Sequence, residues 1–73
     1  MVYNFSKLDG KITEKYGTRR RFCSAINMKE STLSARMNNK IPFKPDEIIL
    51  ICSPNVLDIS PTEIGELFFK LKI

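Results

Sequence analysis

The chain predicts an all-α fold of four to five helices in one domain, residues 1–73, on three observations. Apolar residues recur at helical spacing in short segments from Phe5 to Phe68. Each segment is bounded by a cap or a breaker: Gly17, Asn27, the Asn38-Asn39 pair, Pro54-Asn55. A chain of 73 residues has room for a single economical core.

The first helix is expected from about Lys7 to Tyr16, capped by Ser6 or Asn4 and stopped by Gly17, with Phe5, Leu8, Ile12 and Tyr16 as its buried stripe. Gly10 costs it about 1 kcal/mol against alanine, so either another backbone passes close by or the helix is marginal. Thr18 caps the second helix, whose apolar face is Phe22, Cys23 and Ile26. Asn27 stands where the chain must turn with positive φ, a place asparagine tolerates better than other side chains. The third helix runs from about Glu30 to Asn38, burying Leu33 and Met37, with Met28 filling the corner. Residues 18–40, TRRRFCSAINMKESTLSARMNNK, thus spell a helix-turn-helix, which presents its second helix to a groove or a partner surface.

Pro45 opens the fourth helix, with Asp46 and Glu47 in its positive first turn. Its run Ile48-Ile49-Leu50-Ile51-Cys52 is apolar nearly all round, the mark of a central helix or one at an interface. Ser60, Pro61 and Glu63 combine a capping box with proline at the first position of the fifth helix, whose inward side is Ile64, Leu67 and Phe68. The tail, residues 69–73, alternates apolar and basic, and Val2 to Phe5 is rich in strand formers. A short C-terminal strand paired with the N-terminus, one paired with a second copy, and a fifth helix that simply runs on all fit that pattern.

Composition excludes more than it names. Histidine is absent and the two cysteines lie far apart among apolar neighbours, so no metal ligand set forms and both thiols are expected reduced and buried. No histidine, glycine-rich phosphate loop or convergent carboxylate pair is present to build an enzyme, and no cofactor or small-molecule substrate is expected. No apolar run reaches a membrane span and no signal-peptide core stands at the N-terminus, which predicts a cytoplasmic protein. Residues 1–45 carry ten Lys/Arg against Asp9, Glu14 and Glu30, a net +7, whereas residues 46–73 sum to −3. A basic recognition half beside an acidic supporting half suits a nucleic-acid-facing surface with a separate partner-binding end.

From Asn4 to Phe69 the chain resembles the small Cro-like, lambda-repressor-type helix-turn-helix proteins of temperate phages of Gram-positive bacteria. The residues that carry the resemblance are the second helix and turn, the STLS of the third helix, the NNK-x-PF loop and the ISPTEIGE helix start. Among them it is most similar to modulators of repression, the antirepressors of the lytic-lysogenic switch. The resemblance implies a compact lambda-repressor-like domain acting in transcriptional control, by binding the cognate repressor's N-terminal DNA-binding domain or by binding operator DNA directly.

It also assigns positions. Glu30, Ser31, Ser34, Ala35 and Asn38 fall on the outward side of the third helix, where base edges or the repressor would be met. Arg19, Arg20, Arg21, Lys29, Arg36, Lys40 and Lys44 are the expected phosphate contacts. Arg36 stands where the family is more often apolar, and Glu30 puts a carboxylate where phosphates would repel it unless cytosine N4 donates to it. That outward set lacks a base-reading arginine or glutamine, while its small side chains allow close helix approach. On the residues alone operator binding would come first; the resemblance to modulators of repression makes action as an antirepressor the expected function, with operator binding of the Cro type as the alternative.

Overall fold

The computed structural model describes residues 2–71, and five helices follow one another: α1 (Ser6–Tyr16), α2 (Arg19–Ile26), α3 (Glu30–Met37), α4 (Pro45–Cys52) and α5 (Pro61–Phe68). The all-α expectation holds. Helix α1 packs on α2 and α5, and α2 on α3. Leu8, Ile12, Phe22, Leu33, Ile51, Leu67 and Phe68 close the core between them.

Local chemistry sets most of the boundaries. Neither expected cap holds α1: Phe5 is its N-cap residue and gives no side-chain bond, Ser6 already belongs to the helix, and Asn4 Oδ1 accepts the Ser6 amide at 2.9 Å in the turn that leads in. Gly17 ends α1 at φ 83°, a conformation costly for any other side chain, and returns its amide to the Thr13 carbonyl at 2.9 Å. No neighbouring atom would meet a Cβ at Gly10, which removes close backbone approach as the reason for that glycine. Thr18 Oγ1 accepts the Arg21 amide at 3.2 Å, capping α2 as expected. Asn27 then turns the chain at φ 56°, ψ 45°, and the Met28 amide closes the corner on the Cys23 carbonyl at 2.9 Å.

Three details depart from expectation. Of the two places expected for helix α4 the central one fails and that at an interface stays open: Ile51 is fully buried, Ile48 and Cys52 are half-buried, and Ile49 and Leu50 are 70% and 42% exposed. The burial expected of α4 is supplied instead by the loop after it, where Val56, Leu57 and Ile59 enter the core around a left-handed Asp58 at φ 51°. At α5 the Ser60 hydroxyl reaches Thr62 Oγ1 at 2.9 Å and Glu63 Oε1 at 3.3 Å but no backbone amide, so the expected capping box is not formed. The other oxygen of Glu63 faces Lys11 of α1, 3.6 Å away. Half of such a box appears at α4, where Glu47 accepts the Lys44 amide at 2.9 Å.

The termini pair with each other. Tyr3 and Leu71 form an antiparallel bridge, and the Asn4 amide donates to the Lys70 carbonyl at 2.7 Å. Helix α5 stops at Phe68, so it does not run on through the tail; Lys72 and Ile73 lie outside the described residues. The Asn39 side chain extends this small ribbon from the other side. Its Oδ1 accepts the Tyr3 amide at 2.7 Å and its Nδ2 donates to the Tyr3 carbonyl at 3.0 Å, as a strand neighbour's backbone would. Asn39 has φ 62°, so the left-handed residue that ends the segment after α3 also fastens it to the N-terminus.

Candidate interaction face

Burial of Leu33 and Met37 fixes the roll of α3 and leaves Glu30, Ser31 and Asn38 exposed, with Ser34 and Ala35 half-buried beside them. The sequence-predicted recognition residues therefore share one side of one helix. Spacings of three and four residues bring them into line. Asn38 Nδ2 donates to Ser34 Oγ at 3.2 Å, tying the C-terminal end of that side together. Apart from Glu30 the face carries no charge, and its side chains are short.

The cations around it separate into three kinds. Arg20, Arg21, Lys29, Lys40 and Lys44 are exposed. Arg19 is half-exposed and donates from Nε to Asp9 Oδ1 at 2.9 Å, a contact that aims it back toward α1. Arg36 corrects the expectation that it would meet phosphates. Its guanidinium is buried and forms a two-point contact with Glu47 of α4, Nε to Oε1 at 2.9 Å and the Nη2 atom to Oε2 at 3.0 Å. That bidentate bond holds the Glu47 carboxyl below the usual carboxylate range and raises the Arg36 guanidinium further. An arginine so placed joins α3 to α4 and presents no charge outward.

Three cations in the first turn of α2 oppose the helix dipole; Asp9 of α1 offsets Arg19, and no acid of the turn itself offsets Arg20 or Arg21. Each such cation costs a few tenths of a kcal/mol or more, about 0.3–1 at an exposed site. Arg20 and Arg21 have no folding reason to be cationic at that place, which makes them the best placed residues for an anionic partner.

The thiols take no part. Both are free. Burial pushes the Cys23 thiol up, the Glu30 charge adds to that and Arg19 opposes it; burial alone raises Cys52. Both stay protonated and poorly nucleophilic at neutral pH. Among the described residues no acidic or thiol cluster could hold a metal ion, no buried side-chain polar atom lacks a partner, and no helix is long and apolar enough to cross a membrane.

One feature escaped the sequence reading. Tyr3, Phe5, Phe43 and Phe68 meet edge-on or tilted, with ring centroids 5.2–6.2 Å apart, and line a cleft of about 310 Å³ whose apolar rim is Ile41 and Phe69. Its only available signal is the PF of the NNK-x-PF loop standing opposite a terminal FF pair. Neither says that the two meet until the termini are known to pair.

Comparison with known proteins gives two findings. The profile of a family described as "Protein of unknown function (DUF739)" matches residues 1–71. The fold is similar to the solution structure of the modulator of repression (MOR) of the temperate bacteriophage TP901-1 from Lactococcus lactis, at 40% identity and a TM-score of 0.79, covering 99% of this chain and 97% of that one. No curated protein sequence matches the chain.

Proposed function

The chain belongs to the DUF739 family, and from that premise we propose that it is a phage regulator that modulates repression by binding the DNA-binding domain of its cognate repressor. The observation that carries this reading is the 40% identity with a phage modulator of repression over nearly the whole of both chains. The helix-turn-helix face of α3 supports it. Ser31, Ser34 and Ala35 let a partner helix approach closely, and Glu30 offers a carboxylate to a basic side chain of the repressor. A domain seated on α3 in this way would change which operators the repressor can occupy. The place of action is the cytoplasm of the host bacterium.

A second reading, operator binding of the Cro type, draws on the exposed Arg20, Arg21, Lys29, Lys40 and Lys44. With Arg36 held by Glu47, and Asn38 bonded to Ser34, direct base readout from α3 would rest on Glu30 and Ser31 alone. The same cations suit a ternary complex, in which they hold DNA while α3 holds the repressor. Pairwise mixing of chain, repressor domain and operator fragment, followed by gel filtration, separates the readings. Co-elution of chain and repressor domain without DNA supports the modulator; co-elution with operator alone supports the other.

A further inference from the structure

The aromatic cleft lies beyond the C-terminal end of α3, against the loop that follows it; Phe69 on its rim packs edge-on against Tyr3, ring centroids 5.9 Å apart, and still leaves an exposed apolar edge. Ile41 and Phe69 are 46% and 52% exposed, and Leu71 and Val2 beside them 49% and 50%. These residues come from three segments remote in sequence, brought together by the bond of Asn39 to Tyr3 and of Asn4 to Lys70. The floor is stiff: four rings interlock, and the polar corner is closed by Arg36 and Asn39, both already bonded within the chain. A preformed apolar depression of this size, with aromatic walls and an exposed aliphatic rim, has the character of a pocket for an anchoring side chain.

Charge selects the anchor's setting. Exposed Lys40, Lys44 and Lys70 stand next in sequence to the lining residues Ile41, Phe43 and Phe69; of the acids close to them in sequence Glu47 is bonded to Arg36 and Glu66 to Lys7, which leaves Asp46 against three lysines. We propose that this cleft is a second docking point for the partner protein, taking one aliphatic side chain flanked by carboxylates from an acidic segment of the repressor domain. The inference rests on the reading that the chain acts by contact with that domain. It also bears on a difficulty of that reading, since a basic protein approaching a DNA-binding surface needs an acidic foothold on its partner.

The test is calorimetry of the repressor's DNA-binding domain with the full chain and three rim variants: Ile41→Ser, Phe69→Glu and Lys70→Glu. Ile49→Glu, at a more exposed aliphatic site on α4 outside the cleft, is the control, and circular dichroism verifies that each variant folds. The expected result is at least tenfold weaker binding for the first two, a smaller loss for Lys70→Glu, and no change for Ile49→Glu. Binding by the parent chain that none of the rim variants weakens would overturn the cleft while leaving the proposed function standing. No binding by the parent chain would remove the function itself. Tighter binding by Lys70→Glu would mean that the anchor's surroundings are basic, and overturns the assignment. So would sedimentation of the parent chain as a dimer that Phe69→Glu dissociates, because the occupant would then be a second copy.

Discussion

Arg36 and Glu47 show how a single pair can change the meaning of a charged residue. Arginine is rarely buried, and in sequence Arg36 sits on a short helix rich in polar residues, so it reads as a surface cation. What buries it is the first turn of α4, eleven residues on, whose Glu47 meets it at two points. No local pattern announces such a contact. Glu47→Gln should destabilise the fold by about 3–5 kcal/mol, because it leaves Arg36 buried without its counter-charge. The pH dependence follows from the direction of the shift. A carboxyl held below its unfolded value, about 4.3, contributes stability that is fully present above that pH. This contribution is lost as pH falls through the lower folded value. Thermal melts of the parent chain should therefore lose stability below about pH 4.3 more steeply than those of Glu47→Gln. Equal slopes would place the acid sensitivity elsewhere. Gly10 gives the opposite kind of change: it is helical, exposed and open to a Cβ, so Gly10→Ala should raise stability by up to about 1 kcal/mol, read as a higher melting temperature.

Among the elements, the helices whose ends are written in local chemistry were legible. Thr18, Asn27, Gly17 and Pro45 each act where the sequence placed them, because caps and left-handed residues depend on nearest neighbours. The outward side of α3 was legible for the same reason: burial of Leu33 and Met37 leaves one choice of roll. Helix α4 was not, since an all-apolar run carries no periodicity to say which side turns inward, and the buried loop residues Val56, Leu57 and Ile59 compete for the same core. The α5 cap failed because the Ser60 hydroxyl meets the Thr62 and Glu63 side chains and not a backbone amide, a choice among near neighbours that the pattern does not rank. If the outward side of α3 is the contact, Ser34→Arg should abolish the repressor complex while shifting stability by no more than about 0.5 kcal/mol, as changes at half-exposed sites do. Pull-down on immobilised repressor domain, beside a thermal melt, measures both. The first turn of α2 makes a separate prediction. Replacing Arg20 and Arg21 by alanine should weaken any DNA association and lower the slope of log K against log salt by about 0.9 for each phosphate no longer neutralised. An unchanged slope in a filter-binding salt series would assign phosphate neutralisation to Lys29, Lys40 and Lys44 instead.

At the scale of the whole molecule, residues 1–45 are basic and residues 46–73 acidic. Charge asymmetry was visible in the bare sequence, but the way the chain closes on itself was not. Asn39, Tyr3, Asn4 and Lys70 join three segments by hydrogen bonds spanning up to 66 residues, and a turn-forming asparagine does not advertise that its side chain will act as a strand. From that closure come the aromatic cleft and its rim, the part of the surface that sequence reasoning missed. The central claim is that the chain works by touching a repressor and not by reading an operator. Its most direct test is isothermal titration of the repressor's DNA-binding domain with the chain in the absence of DNA, beside titration of operator duplex with the chain alone. The account predicts a saturable complex with the domain, and binding to operator no tighter than to unrelated duplex of the same length and salt. No heat with the domain at micromolar concentrations, together with tight, sequence-specific binding to operator, would contradict it.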